Sequence, residues 1–176
     1  MELAVVYSRG RSGIEAPLIT VEVHVANGLP AFNIVGLPEA TVRESRDRVK
    51  SALLNSRFEF PIQRITVNLA PADLPKDGGR FDLAIALGIL AASKQIPHQL
   101  LSQHECVGEL SLGGELRPIN GVLPIAIEAK KVKPKETIVM YNGIFGFLFD
   151  ELKVSRLTGL VGAHNEKSRK ATEHFG

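Results

Sequence analysis

The chain has 176 residues and a formal charge of +2, from 21 basic and 19 acidic side chains. At roughly 150 residues per domain, that length fits a single domain, and the balanced charge exerts no pull of its own toward nucleic acid or membrane. Hydrophobic residues at 44% and charged residues at 23% exclude global disorder, and the single cysteine, Cys106, excludes an internal disulfide and an all-cysteine metal site.

The first third alternates in the manner of a sheet. Leu3 to Tyr7 reads as a strand, and Thr20-Val21-Glu22-Val23-His24-Val25 puts valines on one face and polar groups on the other. Gly28-Leu29-Pro30 marks a turn, which predicts a hairpin between that strand and Ala31-Phe32-Asn33-Ile34-Val35. A helix is expected from about Glu39 to Asn55, with Val42, Val49, Ala52 and Leu53 on one stripe and Glu39–Arg43 and Glu44–Arg48 as i,i+4 pairs. Arg64 to Leu69 alternates again and reads as a central strand.

A loop rich in turn formers, Ala70 to Gly79, leads into Arg80 to Lys94, which is apolar nearly all round. A helix of that kind belongs in the middle of a domain. Its Asp82 must therefore pair, with Arg80 or a neighbouring strand as partners. Glu105 to Leu112 reads as a strand, Gly113-Gly114 as a two-residue hairpin turn, and Glu115 to Ile119 as the return. A helix from Gly121 to about Lys133 is expected, with Val122, Leu123, Ile125, Ala126 and Ala129 as its apolar residues and Glu128, Lys130 and Lys131 outside. Thr137 to Met140 reads as the last strand. Residues 1–140 are expected to form the domain, and residues 141–176, polar toward the end and without a period, a poorly specified tail.

Several chemistries are set aside by pattern. A phosphate-binding P-loop ends in Gly-Lys-Ser/Thr, and the chain contains no Gly-Lys pair. The five histidines are scattered, so no metal site is expected. Cys106 lies in an apolar strand and reads as a small core residue. The longest strongly apolar run, Leu83 to Ser93, falls short of the roughly 20 residues of a membrane span, and the opening MELAVVYSRG lacks the pattern of a signal peptide. A cytoplasmic chain with no membrane contact is expected.

Two features remain open. The loop Lys76-Asp77-Gly78-Gly79-Arg80 precedes a helix start, where backbone amides suit an anion or a partner; a tight turn with Asp77 as helix cap competes with that. The helix from Glu39 sets Arg43, Arg46, Arg48 and Lys50 against Glu39, Glu44 and Asp47, four cations against three anions, which suits a salt-bridged face as well as a nucleic-acid one. A second basic run comprises Lys130, Lys131, Lys133 and Lys135. Arg43, Arg46, Lys50, Lys130, Lys131 and Lys133 are the nucleic-acid contacts that follow if DNA is a partner.

Four stretches carry a family resemblance. They are Gly28-Leu29-Pro30 with Ile34 to Glu39, Glu44 to Val49, Arg64 to Lys76, and Gly78 to Leu83. Residues 1–140 resemble the N-terminal domain of the magnesium-chelatase-like competence protein (ComM/YifB) family. The resemblance implies an α/β (α+β) fold of the ribosomal protein S5 domain 2-like, Lon-protease-like type, a two-layer sandwich of a mixed sheet with two to three helices. It implies that an AAA+ ATPase module follows, which would hold ATP and magnesium, in hexameric helicases that act on branched DNA during natural transformation. By that resemblance the sequence is expected to end where the module would begin, as a truncated or frameshifted reading frame, or an excised piece of a longer protein, would. No cofactor is expected in this chain.

Lon-type proteases use a serine–lysine dyad in which a lysine of lowered pKa activates the serine. Matching the Pro-Lys-Asp-Gly loop to Pro75-Lys76-Asp77-Gly78 puts Arg80 at the serine position. Matching the glycines before the later helix to Asn120-Gly121 puts Leu123 at the lysine position. The resemblance therefore implies a non-catalytic domain that serves assembly or DNA engagement. A basic S5-like nucleic-acid module is the alternative. A peptidase with displaced residues, drawing on Ser93, Ser102 or Ser111, is the third reading.

Overall fold

The computed structural model describes residues 2–131 apart from Leu37, Leu100, Ser102 and Gln103. The expected strand over 137–140, the tail over 141–176, and Lys133 and Lys135 lie outside the described residues, as do the side chains of Lys130 and Lys131.

β1 (Glu2–Arg9) pairs antiparallel with β2 (Leu18–Ala26), with Val6 opposite Val21. β2 then pairs antiparallel with β4 (Arg64–Ala70), and β3 (Ala31–Val35) lies parallel to β4 on its far side. The result is a mixed sheet in the order β1-β2-β4-β3. The expected hairpin between β2 and β3 is thus corrected, because β4 sits between them. Burial explains the order. Ile65, Val67 and Leu69 of β4 are all fully buried, whereas Phe32 and Ile34 of β3 are only half-buried. The strand with the most complete apolar face takes the interior position, and β3 is left on the edge. A parallel neighbour needs a crossover connection, and helices α1 (Ala40–Arg43) and α2 (Ser45–Asn55) supply it.

These two helices occupy the single expected helix. Helical dihedrals continue through Glu44, and Val42, Val49, Ala52 and Leu53 are all buried as the stripe requires. Of the expected pairs, Glu44–Arg48 forms, at 3.7 Å. Arg43 instead donates from Nη1 to the Pro38 carbonyl at 3.3 Å.

Helix α3 (Asp82–Ala92) is buried along its whole length. It packs across the sheet face that carries Ala4, Val6, Val21 and Val23, with α2 beside it. The contact is close at Gly88: a Cβ there would stand 2.4 Å from Val23 Cγ2. Glycine is required for this approach rather than for backbone freedom.

The second meander is shorter than expected. The run from Glu105 splits: Glu105 bridges in parallel to Tyr7, and the Cys106 N–H donates to the Tyr7 carbonyl at 2.7 Å. Gly108 then turns aside to exchange hydrogen bonds with Arg80 and Leu83. Only β5 (Glu109–Leu110) remains to pair with β6 (Leu116–Arg117). The Ser111 N–H donates to the Glu115 carbonyl at 2.8 Å, so Leu112-Gly113-Gly114 form the loop, and Gly114 takes φ +90°. The glycine pair alone does not make the turn.

Helix α4 (Val122–Lys131) buries Ile125 and Ala129, with Ile125 packed beside Ala16 and Val107. Leu123, Ala126 and Ile127 face outward. The expected apolar set is corrected for Leu123 and Ala126: the helix touches the body along one narrow line. Among the described residues, no helix is long and apolar enough to cross a membrane.

Candidate functional site around the loop from β4 to α3

Lys76, the first basic residue of the loop, is fully buried. Its ammonium group donates to the Pro71 carbonyl and, at 2.9 Å, to the Leu74 carbonyl. Its own carbonyl accepts from the Glu39 N–H at 3.3 Å, tying the loop to the start of α1. Burial lowers the Lys76 pKa, with the Asp73 charge acting in the opposite sense. This lysine fastens the loop from within, so it is not available to an anion outside it.

Asp77 does not cap α3. Phe81 holds the cap position, and no side chain caps it. The Asp77 carboxylate instead lies between two arginines, with Oδ2 3.5 Å from Arg11 Nη2 and Oδ1 3.8 Å from Arg80 Nε. Gly78 takes φ +70° and its N–H donates to Thr41 Oγ1 at 3.2 Å. Gly79 abuts Glu109, so closely that a Cβ would stand 2.5 Å from the Glu109 Cγ. The loop amide of Gly78 is therefore already engaged, and the loop backbone alone is not the anion cradle that its composition suggests.

Arg80 is 5% exposed. Its Nε donates to the Asp77 carbonyl at 3.4 Å and its Nη2 to the Asn120 carbonyl at 3.5 Å, just before α4. Nη1 and the Asp77 Oδ1 have no hydrogen-bond partner among the described residues. Burial lowers the Arg80 pKa; Asp77 opposes that and the Arg11 charge adds to it. Leu123 stands in the first turn of α4 and is 71% exposed. The two positions that the Lon resemblance pairs thus belong to adjoining pieces of structure, one carrying a guanidinium and the other a hydrocarbon.

Asp82 pairs with neither Arg80 nor another acid-binding surface of the loop. Arg48 Nε donates to its Oδ2 at 2.7 Å and Arg48 Nη2 to its Oδ1 at 3.1 Å. The Ser45 hydroxyl donates to Oδ1, and the Leu110 N–H of β5 donates to Oδ2 at 3.2 Å. Its charge partner, Arg48 of α2, is neither expected candidate: the Arg80 expectation is corrected, and a neighbouring strand contributes only the Leu110 N–H. Burial raises the Asp82 pKa while Arg48 and Ser45 pull it down; the hydrogen bond to Asp82 raises that of Arg48. A second pair was not anticipated: Arg9 Nε and Nη2 grip the Glu105 carboxylate at 2.7 and 2.6 Å, and Nη1 donates to the Ala16 carbonyl at 3.0 Å. The available signal is a charge at the end of β1 and another at the start of the run from Glu105.

The serines proposed for displaced chemistry are elsewhere. Ser93 Oγ donates to the Ile89 carbonyl at 2.8 Å at the end of α3, and Ser111 Oγ accepts from the Glu115 N–H at 3.0 Å. Ser102 lies outside the described residues. Cys106 is buried, and burial first, then the Glu105 charge, push its thiol up to about 12. Among the described residues, no group of three or more His, Cys, Asp or Glu is placed to hold a metal ion. Arg43, Arg46 and Lys50 are exposed at i, i+3 and i+7 across α1 and α2, and the Lys50 ammonium stands 5.6 Å above the Phe60 ring.

A sequence model of the family described as subunit ChlI of Mg-chelatase matches residues 21–142. Competence protein ComM of Haemophilus influenzae is 58% identical over 142 residues, which cover 81% of this chain and 28% of that protein. The uncharacterized protein YifB of Escherichia coli is 55% identical over 142 residues, with the same coverage of 81% and 28%. Lon protease 2 of Bacillus subtilis is 29% identical over 139 residues, 70% of this chain and 24% of that protein. The chain thus spans between 24% and 28% of the length of these relatives. With that match running from β2 through α4, the chain belongs to the family of subunit ChlI of Mg-chelatase.

Proposed function

We propose that this chain is a non-catalytic, Lon-like domain of a magnesium-chelatase-like ATPase, and that it serves the assembly of that motor or its engagement of DNA. One observation carries the reading. Arg80 stands at the junction of loop and helix where the Lon resemblance calls for a serine, and Leu123 stands in the adjoining helix where it calls for a lysine. Guanidinium stays protonated and is no nucleophile, and a leucine side chain cannot accept a proton. Acyl transfer of the Lon kind needs both groups within hydrogen-bond reach. The name of the Haemophilus influenzae relative supports a competence role, and the likeness to a Lon protease supports the ancestry.

The test is turnover by this chain alone. No hydrolysis of ATP and no cleavage of casein are expected. Turnover of either substrate that a single substitution in this chain abolishes would overturn the reading.

The exposed row of Arg43, Arg46 and Lys50 favours a second reading, a nucleic-acid contact that also draws on Lys130, Lys131 and Lys133. On single-stranded DNA, three phosphate contacts from that row give a slope of about −2 in log affinity against log salt, and all six cations about −4. Binding without salt dependence, or no binding, would remove it.

A further inference from the structure

Arg11 and Arg80 come from different loops and converge on the same place. Arg11 follows β1, is about half exposed, and its Cδ lies 3.4 Å from where a Cβ would stand on Gly121. Arg80 is buried, with 5% of its surface exposed, and its Nη2 reaches the Asn120 carbonyl. The Arg11 stem and the Arg80 guanidinium therefore border the start of α4, a helix of 10 residues whose first N–H groups, at Val122 and Leu123 before Pro124, have no partner within the helix. Its positive dipole end adds to their charge. The Asp77 carboxylate lies between the two arginines, one negative charge against two positive ones. Arg80 Nη1 is buried without a partner among the described residues. The neighbouring Arg11–Asp77 contact is a partly exposed pair at 3.5 Å, of a kind that contributes little and opens readily.

We infer that Arg11, Arg80 and the first turn of α4 form a binding site for a phosphate group, with Arg80 Nη1 as its buried anchor. Donors that arrive from three chain segments suit a tetrahedral oxyanion better than a planar carboxylate. Arg11 would leave Asp77 to close over the ion, and the excess positive charge would be compensated. Lys76, whose ammonium is held by the Pro71 and Leu74 carbonyls, takes no part. The inference is independent of whether the chain cleaves peptides.

The experiment is a titration of the full chain with inorganic phosphate at constant ionic strength, followed by backbone amide NMR. Saturable shifts confined to residues 11, 77–80 and 121–123 are expected. Arg11→Gln, an exposed substitution, should weaken phosphate binding at least fivefold, and Arg64→Gln, exposed at the opposite end of β4 from the loop, should leave it unchanged. Arg80→Gln should abolish the shifts; if that variant does not fold, Arg11→Gln decides. Shifts that do not saturate, that chloride or acetate reproduces at equal concentration, or that Arg11→Gln leaves untouched would overturn the site. A single-stranded oligonucleotide that displaces phosphate from these residues would identify the source as a nucleic-acid backbone. Failure to displace it would identify a free or small-molecule phosphate.

Discussion

Arg48 and Asp82 stand 34 positions apart and meet through two parallel hydrogen bonds, Nε to Oδ2 at 2.7 Å and Nη2 to Oδ1 at 3.1 Å. With Ser45 and the Leu110 N–H completing its lone pairs, the carboxylate joins α2, α3 and β5 at one point. Such a group is tolerated in a core only because every oxygen is satisfied.

Removing one partner leaves the other buried and uncompensated. Arg48→Met should lower stability by about 3–5 kcal/mol, the range for breaking buried pairs. Arg48→Met combined with Asp82→Leu should cost clearly less than the sum of the two single changes. Urea unfolding of the four proteins checks this; additive effects would mean that the pair is not coupled.

Gly88 offers a second test, because two effects oppose each other there. Alanine in place of a mid-helix glycine ordinarily gains up to about 1 kcal/mol. Here the new methyl would meet Val23 Cγ2 at 2.4 Å, and overpacking of a tight core costs about 1–3 kcal/mol. Gly88→Ala should therefore destabilise the domain, and adding Val23→Ala should restore part of the loss. Thermal melts of the single and double variants decide it.

The buried Cys106 thiol makes a prediction about alkali. Its pKa is raised from 9.0 to about 12, so between those values the folded chain holds a proton that the unfolded chain has released. This contribution to stability is complete below pH 9 and is lost as the pH climbs toward 12. Cys106→Ala should flatten the fall in stability over that window. At pH 8 the native thiol should resist a disulfide reagent such as dithionitrobenzoate, and react once urea unfolds the chain.

Lys76→Met keeps the stem and removes the ammonium group. The Pro71 and Leu74 carbonyls then lose their donor, at about 1–3 kcal/mol for an unsatisfied buried group. A net loss of about 2 kcal/mol is expected, with the loop from β4 to α3 exchanging its amide protons faster than the sheet does. Unchanged exchange would mean that the lysine does not fasten the loop.

What the sequence made legible follows from periodicity. β2 and β4 alternate without interruption, and α3 is apolar on every side, so their place in the core could be read residue by residue. Strand order could not. The turn residues Gly28 and Pro30 signal that the chain reverses, and nothing in them tells that β4 will enter between β2 and β3. The site shows the same division. Arg80 and Asp77 were legible as members of a loop before a helix, but the inward turn of Lys76 depends on two carbonyls it meets only after folding. The partner of Asp82 was hidden because Arg48 also satisfies the helix pattern as a surface residue paired with Glu44.

The position of β4 bears on how the chain is made. A ribosome delivers β1, β2 and β3 first, yet β2 and β3 share no edge and must wait for Arg64–Ala70 to emerge between them. Until then a nascent polypeptide has one hairpin and a strand with no mate, and the valine faces of β1 and β2 lack the cover of α3. Sheet completion is thereby postponed until more than half of the described residues have been synthesised, a period in which unpaired strand edges are exposed to other chains.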